Sequence, residues 1–224
     1  MDWYPLWNSL RIAAISAVIV FFAGIFAAYY IAKLPRGLKG LLDALLTLPL
    51  VLPPTVVGYL LLCLLGPRRP LGAWVLDTFG LRLTMTWWSA IFATTVVIFP
   101  LMYRTARGAF EAFDETLADA GRTLGRSNTY IFWRIRMPAC RQGILAGAVL
   151  AFARALGEYG ATSMLIGYTP GRTATISTTV YQLWRTGDES GALLWVLINL
   201  AISAVVLLCV NMLEDRQKRG AART

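Results

Sequence analysis

Asp119-Ala-Gly121, three residues, Gly125, nine residues, then Ile135-Arg-Met-Pro138 is the stretch from which the rest of this chain can be read. It lies in a basic, polar segment, 109–138, between two apolar runs at 86–106 and 143–166. Each run has roughly the 20 residues needed to cross a hydrocarbon core about 30 Å thick. A polar segment joining two such runs belongs outside the bilayer.

Working outward, three further runs of the same kind occur at 9–32, 41–65 and 193–213. With 57% hydrophobic residues and a mean hydropathy of +0.59, the chain is too apolar for a soluble domain. Lipid cannot satisfy free backbone N–H and C=O groups, so spans of this length are expected as helices. The expected fold class is all-α, a polytopic membrane protein with about five transmembrane helices and one domain over residues 1–224.

The net charge of +9 follows the membrane. Alternate loops hold Lys33, Arg36 and Lys39, then Arg104, Arg107, Arg122, Arg126, Arg134, Arg136 and Arg141, and finally Arg216, Lys218, Arg219 and Arg223. The opposite loops hold Arg68, Arg69, Arg82, Arg172 and Arg185. The positive-inside rule then puts the N-terminus outside and the C-terminus in the cytoplasm. A nucleic-acid partner is not expected from charge so distributed. The first run, Ile12 to Ala32, exceeds a signal-peptide core, has no basic cluster ahead of it and is followed by positive charge, so it is expected to remain as a helix. Trp3, Tyr4, Trp7, Trp87 and Trp88 suit either the headgroup level or packing in the bundle.

Catalytic chemistry has little to work with. The chain has no histidine, and Cys63, Cys140 and Cys209 form no metal-site spacing, so neither a metal nor a cofactor is expected. Gly167-Tyr-Thr-Pro-Gly171-Arg-Thr173 is one residue short of a phosphate loop, carries Arg for Lys and falls on the outer side. It reads as a turn. No catalytic residue is assigned.

The 109–138 segment reads as two short helices. Glu111, Asp114, Glu115 and Asp119 come early and Arg122 late in the first, the order that suits a helix dipole. Phe113, Leu117, Ala120 and Leu124 form an apolar face, and Gly125 is a C-terminal stop. Ser127 caps a second helix through Tyr130, Phe132 and Trp133, which Pro138 is expected to end. Small residues at Ala120, Gly121 and Gly125 would admit a partner's backbone. The alternative is an amphipathic helix lying on the bilayer surface.

The fourth run carries a small-residue stripe, Gly143, Gly147, Ala151 and Ala155, suited to close helix packing. Arg154 and Glu158 lie one turn apart within it. Each would cost roughly 2.5 to 3.5 kcal/mol against lipid, so they are expected to face protein or a water-filled path and to pair. They either border a translocation path, with Arg154 attracting an anion, or form a buried structural pair. In the second run, Pro49, Pro53 and Pro54 fall within six residues and preclude a straight helix. Such a break is a candidate hinge or pore lining.

The spacing at 119–138 resembles the EAA-x3-G-x9-I-x-L-P loop that permease subunits of bacterial ABC importers insert into their ATPase. Here Asp119 stands for Glu, Gly121 for Ala and Met137 for Leu. The charge, the small residue and the apolar contact survive, although Gly121 weakens the helix by up to about 1 kcal/mol. Across almost its whole length the chain resembles the membrane permease subunits of bacterial molybdate ABC transporters. That resemblance rests on Thr47–Tyr59, Arg122–Gly125, Ala151–Thr162 and Pro170–Ile176. It implies a MetI-like permease fold, ATPase coupling through Asp119, Ala120, Gly121, Leu124, Gly125, Ile135, Met137 and Pro138, and a path or gate at Pro49, Pro53, Pro54, Arg154 and Glu158. The implied partners are a second copy of the chain, two ABC ATPase subunits and a periplasmic or lipid-anchored molybdate-binding protein. The implied location is the bacterial inner membrane. Sulfate, thiosulfate and tungstate permeases are close alternatives, and an ATPase-independent channel or secondary transporter is the rival from another class. Arg172, Thr173 and Thr175 are expected on the outer face, where they meet a partner or solvent.

Overall fold

The computed structural model describes residues 2–221, with side chains through 208. Cys209 and the basic residues Arg216, Lys218 and Arg219 lie beyond the described side chains, and Arg223 lies outside the described residues.

Three helices are long and apolar enough to cross a membrane alone: α1 (Tyr4–Ala32), α5 (Ser89–Glu111) and the first part of the helix Glu189–Ala221. The second predicted run is two helices, α2 (Arg36–Val51) and α3 (Pro54–Leu65), bent by 112° at Leu52-Pro53. The break was expected from the prolines; its sharpness was not. Between α3 and α5 lies an additional short helix, α4 (Pro70–Phe79). After α5 come α6 (Glu115–Thr123), α7 (Asn128–Ile131), a π turn over Phe132–Arg136 and α8 (Met137–Ala139).

The fourth predicted run, 143–166, is also not one helix. It divides into α9 (Arg141–Leu156) and α10 (Gly160–Ile166), separated by Gly157-Glu158-Tyr159. The chain closes with α11 (Ile176–Arg185) and α12 (Glu189–Ala221). α9 is bent by 72° from the Asn128–Ala139 segment before it.

Two cores hold the bundle together. The larger packs Val20, Ile25 and Ala28 of α1 with Ile98, Met102 and Ala106 of α5 and Ile144, Ala151 and Ala155 of α9. The predicted small-residue stripe does its work here. A methyl on Gly143 would meet Ala109 Cβ at 2.7 Å, and one on Gly147 would meet Thr105 Cβ at 3.0 Å, so α9 and α5 approach nearly backbone to backbone. The smaller core joins Val57 of α3, Ala93 and Val97 of α5, and Ala161 and Leu165 of α10. The half-helices are thus packed on α5 and on each other.

The 167–175 segment is a turn, as its glycines suggest: Gly167 and Gly171 have φ of +63° and +67°. It is not a solvated loop, however. Thr173 and Thr175 are buried, because Asn8 Nδ2 donates to Thr173 O at 3.2 Å and to Ala174 O at 2.8 Å. Ser9 Oγ accepts from Ile176 N–H at 2.9 Å, and Thr175 caps α11 in a reciprocal box with Thr178. Polar residues near the start of α1 therefore satisfy a turn more than 160 residues away. Only Arg172 of the three expected outer residues is exposed. The tryptophans divide between the two expectations: Trp7 and Trp3 are exposed, Trp3 with one edge against Trp195, whereas Trp87 is half-buried with the Arg11 guanidinium 4.0 Å from its ring centroid.

Candidate functional site

The coupling segment is built around α6. Asp114 caps its start, accepting from Thr116 Oγ1 at 2.8 Å and Thr116 N–H at 3.0 Å. The same two bonds, the hydroxyl's first, hold the Asp114 carboxyl below its ordinary range. At the other end Gly125 adopts φ +70°. Its N–H donates to Arg122 O at 2.9 Å, and Arg126 N–H reaches back to Gly121 O at 3.1 Å. These two bonds make a Schellman stop, which needs a residue tolerant of positive φ.

One expectation about this segment is reversed. Gly121 does not open the helix to a partner. It is buried inward, where a methyl would lie 3.1 Å from Ile131 Cγ1 and from Ile135 Cδ1. Ala118 is buried beside it. The face that remains free carries Leu117, Ala120 and Leu124, with Leu124 78% exposed, and Asp119 paired at the surface with Arg122. Ile135 and Met137 are half-buried against the main core, and Pro138 is exposed.

Pro138 also does not end its helix. The chain stays helical to Ala139 and turns at Cys140. The accommodation lies upstream, where the backbone widens into the π turn and Met137 N–H donates to Phe132 O, five residues back. A proline ring clashes with the carbonyl four residues before it, and a wider turn removes that clash.

Arg136 anchors the segment to the membrane bundle. It is buried, pairs with Glu115 at 2.7 Å, and stacks 4.4 Å from the Phe113 ring centroid and 5.7 Å from that of Tyr29 on α1. Sequence reasoning counted it only as a loop cation. A second missed group is Asp43, which accepts from Tyr103 Oη and pairs with Arg107. Arg107 Nε also reaches Glu111 Oε1 at 3.0 Å, and Lys39 Nζ meets the same oxygen at 2.5 Å. These five side chains lock α2 to the end of α5 that leads into α6. Asp43 is the lone charge in the run 41–65, a signal that a partner had to exist.

The two broken spans meet. Pro49 lies inside α2, while Pro53 and Pro54 begin α3. A methyl on Gly160 at the start of α10 would come within 2.8 Å of Pro54 Cβ and 3.0 Å of Thr55 N. One on Gly58 would meet Ala161 Cα at 2.7 Å. Next to this contact Arg154 and Glu158 form the expected pair, at 2.9 Å. Their surroundings differ: the Glu158 side chain is 1% exposed and that of Arg154 37%. Glu158 sits in the break rather than on a continuous helix. Its Oε1 accepts from Ala161 N–H at 2.8 Å, supplying a partner to a free donor at the start of α10. Its Oε2 makes no hydrogen bond of good geometry among the described residues, so the nearby guanidinium charge compensates it instead.

This architecture has known counterparts. The family described as "Binding-protein-dependent transport system inner membrane component" matches residues 20–219. The chain belongs to that family. The "Molybdenum transport system permease protein ModB" of Escherichia coli (strain K12) is 40% identical to it over 223 residues, covering 99% of this chain and 97% of that protein. The fold is shared with a chain of the MetNI methionine ABC transporter in an inward-facing conformation (TM-score 0.74, 13% identity, 95% and 94% of the two chains). It is shared too with a chain of a bacterial alginate ABC transporter in complex with an alginate pentasaccharide-bound periplasmic protein (TM-score 0.77, 18% identity, 95% and 78%). The inner membrane component assignment and the apolar helices make this a multi-pass membrane protein of transport.

Proposed function

We propose that this chain is one permease unit over residues 1–224 of an ATP-driven importer of molybdate, working by alternating access. The observation that carries the reading is the single mechanical line from α6 to the breaks. α6 exposes an apolar face for a partner, α5 carries the ion pairs to Asp43 and Lys39, and α2 ends at the proline break that touches α10. A push on α6 is then delivered to the α3–α10 contact as a rigid displacement. The near-full-length identity to the E. coli protein supports molybdate as the solute.

The ATPase chemistry belongs to two separate nucleotide-binding subunits, which bear on Asp119, Ala120, Leu124 and neighbouring residues from the cytoplasm. A second copy of this chain completes the path. α2 buries no residue within one chain, and α3 exposes Tyr59, Leu60 and Leu64 beside the break. A periplasmic or lipid-anchored binding protein delivers the oxyanion on the outer side, with the N-terminus outside and the C-terminus in the cytoplasm. ATP binding draws the two coupling segments together and opens the path outward; hydrolysis resets it.

Arg154, partly exposed and neutralised by the buried Glu158 behind it, gives the path a polar lining with little net charge. A bare arginine would hold a dianion, whereas conduction needs binding weak enough to release. The neutralising carboxylate keeps that attraction modest.

The test is ATP-dependent uptake of labelled molybdate by vesicles holding this chain, its ATPase and its binding protein. Uptake that resists excess sulfate and vanishes without ATP is expected. Uptake competed by sulfate moves the assignment to the sulfate branch, equal competition by tungstate makes the site common to both anions, and uptake indifferent to ATP overturns the importer.

A further inference from the structure

A groove of about 710 Å³ runs between the second half of α1 and the coupling segment. Its walls are Phe22, Phe26 and Tyr30 of α1 facing Phe132, Trp133 and Met137. Phe22, Phe26, Tyr30 and Trp133 are all exposed in the chain. One wall is the side of a candidate membrane span and the other the polar segment that follows α5, so the groove lies where hydrocarbon gives way to the bilayer surface. Water there would face aromatic rings on both sides.

The groove changes character at one end. Lys33, which closes the apolar run of α1, lines it together with Asn128 and Thr129. The Lys33 ammonium lies 3.6 Å from the Tyr29 ring centroid and takes part in no ion pair among the described residues. Arg36, Arg126 and Arg134, each within three residues of a lining residue, are likewise without a carboxylate among the described residues. An apolar slot beside a membrane span, lined also by one ammonium without a carboxylate partner among the described residues and by two neutral polar side chains, matches one molecular shape.

We propose that this groove holds a glycerophospholipid with an anionic headgroup. An acyl chain lies along Phe22 and Phe26, and the phosphate meets Lys33, Asn128 and Thr129. Basic side chains at a bilayer surface attract such headgroups, each contributing about 1 kcal/mol, or a factor of about five. Because one wall is α1 and the other is the segment bearing Arg136, the lipid bridges the bundle and the coupling loop. Membrane composition then acts on the part of the protein that moves. This inference is independent of which solute is carried.

The test is native mass spectrometry of the purified full-length chain, exchanged into micelles containing phosphatidylglycerol or phosphatidylcholine of identical acyl chains. Wild type is expected to retain one phosphatidylglycerol per chain, Lys33→Gln to retain about fivefold less, and Phe26→Ala to lose both lipids. Equal retention of the two headgroups, or no change in Lys33→Gln, overturns the proposal. Displacement by millimolar inorganic phosphate identifies a free-anion site and overturns it as well. Lys33 is exposed, so its substitution leaves folding intact; cross-linking of Phe26→Cys between two copies would make the occupant a second chain and sink the lipid.

Discussion

Gly160 stands against Pro54 so closely that a single added methyl would lie 2.8 Å from the proline Cβ and 3.0 Å from Thr55 N. The start of one half-helix is thereby seated on the break of another span. Whatever motion opens this bundle must pass through or around that contact.

Gly160→Ala is therefore expected to destabilise the chain by about 1 to 3 kcal/mol through overpacking and to abolish uptake. Gly157→Ala is the control. Gly157 lies three residues away, but nothing is within 4 Å of its added methyl and its φ is not positive. It should behave as a surface change, within about 0.5 kcal/mol. Thermal denaturation and vesicle uptake for the two variants decide the matter, and equal effects would show that the close contact is unimportant.

Removing one member of the Arg154–Glu158 pair has unequal consequences. Arg154→Met leaves a buried carboxylate without its compensating charge, and a loss of about 3 kcal/mol is expected. Glu158→Gln retains an oxygen to accept from Ala161 N–H, so stability falls less, but the lining becomes cationic. Slower release of the anion should then lower the maximal uptake rate together with the half-saturating concentration. A Glu158→Gln variant with unchanged transport would confine the pair to a structural role.

The ion pairs between α2 and α5 are predicted to control coupling rather than ATP hydrolysis. Asp43→Asn and Arg107→Met should each reduce solute moved per ATP consumed while leaving the hydrolysis rate of the assembled complex largely intact. The charge-reversed double variant, Asp43→Arg with Arg107→Asp, should recover part of the ratio. Parallel measurement of phosphate release and uptake checks this, and a proportional fall in both would point to failed assembly instead.

Gly125 makes a conformational prediction rather than a steric one. A side chain there meets nothing within 4 Å, yet its φ is +70°. Gly125→Ala should weaken the end of α6 by about 1 kcal/mol, and Gly125→Asn, which tolerates the left-handed region, by less. Hydrogen exchange over residues 115–126 should rank wild type, Asn and Ala in that order. If Asn proves as damaging as Ala, the defect lies in partner contact and not in the backbone.

Much of this protein was legible in its residues. The five apolar runs, the prolines at 49, 53 and 54, the stop at Gly125 and the cap at Ser127 all follow from local rules: span length, a missing backbone donor, positive φ, a free N–H to satisfy. The Arg154–Glu158 pairing was legible too, because two charges in an apolar run must find partners. Local chemistry decides these features before any tertiary contact forms.

The remainder depended on which surfaces met. The split of the fourth run at Gly157–Tyr159 is invisible to hydropathy, since the residues on either side are as apolar as a continuous span. Gly121 was read as open to a partner, yet Ile131 and Ile135 fold back onto it. Thr173 and Thr175 were placed in an outer loop, yet Asn8 and Ser9 bury their turn from the far end of the chain. Asp43 showed that it needed a partner, but not that Tyr103 and Arg107 would supply it. Composition and spacing determine which stretches are apolar enough to cross and where prolines break the second of them; only packing decides the other break and which breaks touch, because contact between distant segments is a property of shapes that local periodicity does not encode.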